Sequence, residues 1–69
     1  MNVTKKTRIY VAGCGGMLGE AVYNHFNPIS ELIATDIDTN ESWLDYADVR
    51  DYSSISVSIE EFRPHIIIN

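Results

Sequence analysis

The fold is decided by one stretch near the N-terminus, residues 8–19, which reads RIYVAGCGGMLG. Its first part, Arg8–Ala12, is a β-branched and aromatic run that stops at a glycine, which is typical of a buried parallel strand ending in a tight turn. Beyond the glycines, mainly apolar residues recur at spacings of three and four, which predicts one face of a helix. They are Leu18, Ala21, Val22, His25 and Phe26.

The turn between this strand and this helix has the glycine spacing GxxGxxG. Gly13 would permit the tight turn, Gly16 would let the backbone approach a pyrophosphate, and Gly19 would let the helix pack closely on the strand. The helix N-terminus would direct backbone N–H groups, those of Met17 and Leu18, at the phosphates. The spacing is neither GxGxxG nor a P-loop, since no Gly-Lys-Ser/Thr follows. The alternative is a glycine-rich turn that only connects two elements.

The rest of the chain continues the alternation of strands and helices. Pro28 ends the first helix, and Arg63 with Pro64 ends a second one, in which Ile55, Ile59 and Phe62 lie at i, i+4 and i+7. The other predicted elements are a strand at Glu31–Asp36, a weaker strand within residues 43–49 that is best supported at 46–49, an N-cap at Asp51 and a strand at residues 65–69.

This order of elements predicts right-handed crossovers and a mostly parallel sheet with strand order 3-2-1-4. The chain is therefore expected to be the N-terminal part of a Rossmann-type, doubly wound α/β fold, with one partial dinucleotide-binding domain over residues 1–69. In the complete fold further strands and helices follow the fourth strand. We therefore expect a truncated chain, or one whose sheet a partner chain completes.

Composition restricts the partners. The 69 residues include ten acidic and five basic side chains, a formal charge of −5, which argues against sequence-independent binding to nucleic acid or anionic lipid. A bound phosphate would have to be held by backbone dipoles. No stretch approaches the roughly 18 apolar residues of a membrane span. The single cysteine, Cys14, forms no intramolecular disulfide and no zinc-ligand pattern, so a reducing, cytoplasmic setting and no metal site are expected.

Two acidic positions follow predicted strands. Asp36 lies 17 positions after Gly19, close to the spacing of about 20 for the residue that accepts hydrogen bonds from the adenosine ribose. A carboxylate there repels a 2′-phosphate and no arginine follows it directly to receive such a phosphate, so NAD is favoured over NADP. Asp48 would accept a hydrogen bond from the adenine amino group while Val49 covers a ring face. The alternatives are a solvated loop carboxylate for Asp36 and a turn-forming aspartate for Asp48.

These features together resemble the extended short-chain dehydrogenase/reductase superfamily and, within it, the dTDP-4-dehydrorhamnose reductase branch of sugar-nucleotide enzymes. The matching segments are residues 11–19, 34–36, 48–51 and 62–69. His65 departs from the aspartate common in that family. The resemblance implies pyrophosphate contacts from Gly13, Gly16, Met17, Leu18 and Gly19, a ribose contact from Asp36, and adenine contacts from Asp48 and Val49.

The resemblance also implies an activity for the full-length protein. Such enzymes transfer a hydride between a nicotinamide and a carbonyl of a nucleotide-sugar substrate, using a Tyr-x-x-x-Lys pair and a Ser or Thr. No tyrosine here has a lysine four positions later, so we assign no catalytic residue to this chain. The alternatives are a sugar-nucleotide epimerase or dehydratase, a non-catalytic regulator such as the regulatory subunit of methionine adenosyltransferase, and a methyltransferase that binds S-adenosylmethionine. The sequence does not decide whether the protein forms a homo-oligomer.

Three other residues have structural interpretations. His25 is expected on the face of the first helix, and His65 is expected to lead into the fourth strand. Trp43 is expected to pack against the protein rather than against a ligand.

Overall fold

The computed structural model describes residues 2–13, 16–48 and 50–68, with the side chain of Ser54 left out. Strands β1 and β2 and the end of the first helix lie where the sequence predicts them. The elements in chain order are β1 (Arg8–Ala12), α1 (Met17–Phe26), a 3₁₀ turn (Asn27–Ile29), β2 (Glu31–Asp36), β3 (Leu44–Tyr46), α2 (Tyr52–Phe62) and β4 (Ile66–Ile68).

The four strands form one parallel sheet in the order β3-β2-β1-β4. The α/β class and the strand order 3-2-1-4 are therefore confirmed. In the register, Val11 lies between Ala34 on β2 and Ile68 on β4, and Ala34 also pairs with Leu44 on β3. Because all strands run the same way, their carboxyl ends meet along one edge of the sheet.

The core lies between α1 and one face of the sheet. Alternate strand residues supply its buried centre, namely Ile9, Val11, Ala34 and Leu44. On α1, the half-buried residues are Gly19, Val22, Tyr23 and Phe26, a stripe at i, i+3, i+4 and i+7. The predicted face was partly wrong, because Leu18, Ala21 and His25 are exposed. Gly19 takes the inward position expected for Leu18, and one residue of offset rotates a helical stripe by about 100°.

Strand β3 lies within the predicted residues 43–49, but not in the part that the prediction favoured. That part was 46–49, whereas the strand is Leu44–Tyr46. Leu44 is buried in the core, which fixes the register, whereas Tyr46 is exposed. The Ala47 N–H then donates to the Asp36 carbonyl oxygen at 3.1 Å. Val49 lies outside the described residues.

The caps of α2 are as predicted. Asp51 is the N-cap, and its Oδ1 accepts a hydrogen bond from the Ser53 backbone N–H at 3.1 Å. Arg63 ends the helix in the left-handed region, at φ 54°. No helix among the described residues has both the length and the apolar character needed to cross a bilayer.

Strand β4 is shorter than the predicted 65–69. His65 lies just before it, as expected, and joins it to β1 through two hydrogen bonds. The His65 N–H donates to the Arg8 carbonyl oxygen at 2.8 Å, and the Arg8 N–H donates to His65 Nδ1 at 3.0 Å. Asn69 lies outside the described residues.

Candidate functional site

A cleft of about 330 Å³ opens at the carboxyl edge of the sheet. It is formed where the chain leaves β1, β2 and β3, and its described lining residues are Gly13, Asp36, Ile37, Ala47, Asp48 and Arg50. Three residues that the sequence assigned to one cofactor site are thus together, although they follow three different strands. The edge beyond the carboxyl ends of parallel strands is where open α/β sheets bind ligands.

Gly13 directly follows β1 and has a backbone conformation that favours glycine. Its φ is +73°, in the left-handed region, and its N–H donates to the carbonyl oxygen of buried Thr35 at 2.9 Å. A Cβ added to Gly13 would meet nothing within 4 Å. The requirement for glycine is therefore set by the backbone angle and not by crowding.

Gly16 precedes α1 and leaves the start of the helix accessible. It is the N-cap in extended conformation, makes no side-chain cap bond, and its carbonyl oxygen accepts from the Glu20 N–H at 2.9 Å. A Cβ on Gly16 would project into open space, with nothing within 4 Å. The first N–H groups of a helix have no partner inside it, so an anion can approach this end closely.

A smaller hollow of about 170 Å³ lies beside this helix start. It shares Gly13 with the main cleft and contains Gly16, Leu18 and Gly19 among its lining residues. Met17 and Leu18 are 89% and 80% exposed, so their side chains add little to the core. Their predicted phosphate contacts depend on the backbone. Cys14 lies outside the described residues.

Asp36 ends β2 with a half-buried side chain at the main cleft. Its Oδ1 accepts a hydrogen bond from the Asp38 N–H at 3.0 Å, and its carbonyl oxygen accepts one from the Ala47 N–H. These bonds orient the carboxylate at the point where β2 leaves the sheet. Asp38 itself is exposed, in agreement with a solvated loop carboxylate.

Asp48 is bound by Arg50, a residue that the sequence analysis did not assign. Arg50 Nε donates to Asp48 Oδ1 and Nη2 donates to Oδ2, each at 3.0 Å, and the Arg50 backbone N–H also donates to Oδ1 at 3.0 Å. These bonds, from the Arg50 side chain first and its backbone second, lower the pKa of the Asp48 carboxyl below its ordinary value. The only sequence signal was the i, i+2 spacing of an acid and an arginine.

The remaining assigned side chains have packing roles. The Trp43 ring stacks on Tyr23 with ring centroids 4.1 Å apart, and His25 meets Phe26 edge to face at 4.7 Å. The packing role of Trp43 is therefore confirmed, whereas His25 contacts Phe26 from an exposed position on α1. In the described ranges, no three histidine, cysteine or carboxylate side chains are grouped to hold a metal ion.

Neither a model of a known protein family nor a curated protein matches this chain.

Proposed function

We propose that this chain is the dinucleotide-binding segment of an NAD(P)-dependent oxidoreductase, with NAD preferred to NADP. The observation that carries the proposal is the convergence of Gly13, Asp36 and Asp48 on one cleft at the carboxyl edge of the sheet. A turn that only connected two elements would not require acids from two other strand ends at the same cleft. The position also agrees with the general rule for ligand sites in open α/β sheets.

The chemistry of the lining residues fits the ADP part of a dinucleotide. The open space at Gly16 and the N–H groups of the first turn of α1 suit a pyrophosphate. Asp36 supplies a carboxylate acceptor for ribose hydroxyls, and Asp48 supplies an acceptor for an adenine amino group. A bound nicotinamide dinucleotide supplies or accepts a hydride, while the residues of this chain bind and orient its adenosine half.

The full-length protein is, in this proposal, a dTDP-4-dehydrorhamnose reductase-like enzyme that reduces a keto-sugar nucleotide in the cytoplasm. The support is the resemblance of the glycine turn and of the segment before Asn69 to that branch. In this proposal the chain binds the cofactor, while the nucleotide-sugar site and the Tyr-x-x-x-Lys pair, which this sequence does not contain, belong to other parts of the enzyme.

Calorimetric titration of the chain with NADH and NADPH tests the cofactor site. Gly16→Asp places a carboxylate in the open space before α1, whereas Asn24→Asp adds the same charge at an exposed position of the same helix. We expect saturable NADH binding, weaker NADPH binding, loss of at least tenfold in affinity in Gly16→Asp, and little change in Asn24→Asp. A chain that is folded by circular dichroism and binds neither dinucleotide would refute the proposal.

A further inference from the structure

We propose that the Asp48–Arg50 ion pair sets the choice between a 2′-hydroxyl and a 2′-phosphate on the bound ribose, by withholding the Arg50 guanidinium from the phosphate. The inference rests on the proposed function and concerns the adenosine end of the same cleft. It assigns Arg50 a role in cofactor specificity that the sequence motif does not contain.

The position of Arg50 makes it the cation to consider. It lines the cleft that Asp36 also lines, and no other lysine or arginine is among the described lining residues. Its side chain is 77% exposed, so its guanidinium is accessible to a ligand at the cleft. A guanidinium is also the side chain best suited to bind a phosphate in two-point fashion.

The ion pair occupies that guanidinium. Two of its nitrogen atoms donate to the two different oxygens of Asp48 at 3.0 Å, and the backbone N–H of Arg50 fixes the same carboxylate from a third direction. The Asp48 side chain is only 21% exposed, which limits the positions that its carboxylate can take. A 2′-phosphate would therefore have to compete with Asp48 for Arg50.

The surroundings make this competition unfavourable for the phosphate. Asp36 lies in the same cleft, and exposed Asp38 follows it two residues later, so a 2′-phosphate would meet two more carboxylates. A 2′-hydroxyl needs no cation and can donate to Asp36. The pair therefore favours NAD over NADP for a reason additional to direct repulsion by Asp36.

A purely structural role for the pair makes a different prediction. The Asp51 N–H donates to the Asp48 carbonyl oxygen at 2.9 Å, so the ion pair could simply stabilise this local hydrogen bond. If the pair only stabilised the local structure, its loss would weaken NADH and NADPH binding by the same factor. Loss of a specificity element changes the ratio of the two affinities.

Calorimetry with NADH and NADPH on four variants separates these roles. Asp48→Asn keeps an acceptor for the Arg50 N–H but releases the guanidinium, so we expect the affinity for NADPH relative to NADH to rise about tenfold. Asp48→Asn with Arg50→Gln should lose this gain, because the cation is gone. Arg50→Gln alone leaves Asp48 uncompensated and should lower relative NADPH affinity several-fold. The charge control is Glu31→Gln, an exposed carboxylate at the opposite end of β2, which should leave the ratio unchanged.

The outcomes distinguish this inference from the proposed function. An unchanged affinity ratio in Asp48→Asn, or a gain that persists in the double variant, would overturn the role of the pair while NADH binding by the unaltered chain still stands. If Asp48→Asn does not fold, an unchanged ratio in Arg50→Gln overturns it instead. Binding of neither dinucleotide by the unaltered folded chain would refute both.

Discussion

The two ends of the sheet each contain a hollow, but their polar groups are arranged differently. At the amino end, a hollow of about 260 Å³ is lined by Asn2, Thr4, Lys6, Thr7 and His65. There the Thr4 N–H donates to Thr7 Oγ1 at 2.9 Å, and His65 accepts from Arg8, so the polar groups bind the protein's own backbone. At the carboxyl end, a left-handed glycine and two aspartates line the cleft.

This difference is the reason for proposing that the carboxyl-end cleft, and not the amino-end hollow, binds a ligand. The amino-end bonds close the chain on itself, and their physical effect is stability. The carboxylates at the carboxyl end also accept backbone N–H bonds, from Asp38 to Asp36 and from Arg50 to Asp48. This end differs because it brings two carboxylates and a left-handed glycine together where three strands end. Substitutions at the amino end should therefore change stability without changing dinucleotide affinity, and some substitutions at the carboxyl end should do the reverse.

The largest loss of stability is expected for substitution of Gly13, and a much smaller one for substitution of Gly16. Gly13→Ala should lower the free energy of unfolding by about 1–2 kcal/mol, because an L-residue is strained in the left-handed region. Gly16 has an extended backbone and open space, so Gly16→Ala should cost only about 0.5 kcal/mol as a poorer N-cap while weakening NADH binding. Urea denaturation and calorimetry measure the two quantities. Equal stability losses would contradict the assignment of different roles to the two glycines.

At the amino end of the sheet, loss of the His65 acceptor should lower stability. His65→Ala removes the partner of the Arg8 N–H and should lower the free energy of unfolding by about 1 kcal/mol. His65→Asp supplies a carboxylate acceptor and should recover part of this loss. Urea denaturation gives the stabilities, and NADH affinity should be the same for all folded forms. A large affinity change in folded His65→Ala would contradict the division between the two ends.

The Asp48–Arg50 pair should be visible in the pH dependence of stability. Arg50 lowers the pKa of the folded-state Asp48 carboxyl below the ordinary 3.8, so the unfolded chain takes up this proton first as the pH falls. The stabilisation is therefore complete above pH 3.8 and is lost as the pH falls through the lower folded-state value. In urea denaturation between pH 7 and pH 2, the stability difference between the unaltered chain and Arg50→Gln should shrink only below pH 3.8. A stability difference between the two proteins that stays constant from pH 7 to pH 2 would contradict a stabilising Asp48–Arg50 pair.

The smallest effect is expected at the start of α1. Met17→Ser and Leu18→Ser alter exposed side chains, so each should change the free energy of unfolding by less than about 0.5 kcal/mol. NADH affinity should also stay within about twofold, because the predicted contacts come from backbone N–H groups. Thermal unfolding and calorimetry provide the test. A strong loss of affinity in either variant would assign the contact to the side chain.

Prediction from the sequence worked best for elements that are specified by neighbouring residues along the chain. Strands β1 and β2 have apolar runs with sharp ends, and Asp51 and Arg63 bound α2 as their sequence positions indicated. Strand β3 lies within the predicted range, but its favoured part was too late because its position depends on burial of Leu44 against the other strands. The core-facing stripe of α1 is displaced by one residue from the predicted one, because the half-buried residues are Gly19, Val22, Tyr23 and Phe26.

The sequence by itself determined the order of strands and helices, the glycine turn, and the acids that follow the strands, because these depend on residue type and spacing along the chain. Tertiary structure alone decided that Gly13 is anchored to Thr35, and that Asp36 and the Asp48–Arg50 pair share one cleft. Those residues are separated along the chain, and only parallel pairing of β1, β2 and β3 brings their carboxyl ends to the same edge. Whether Arg50 points at a ligand or at Asp48 is likewise a question of geometry that residue spacing does not contain.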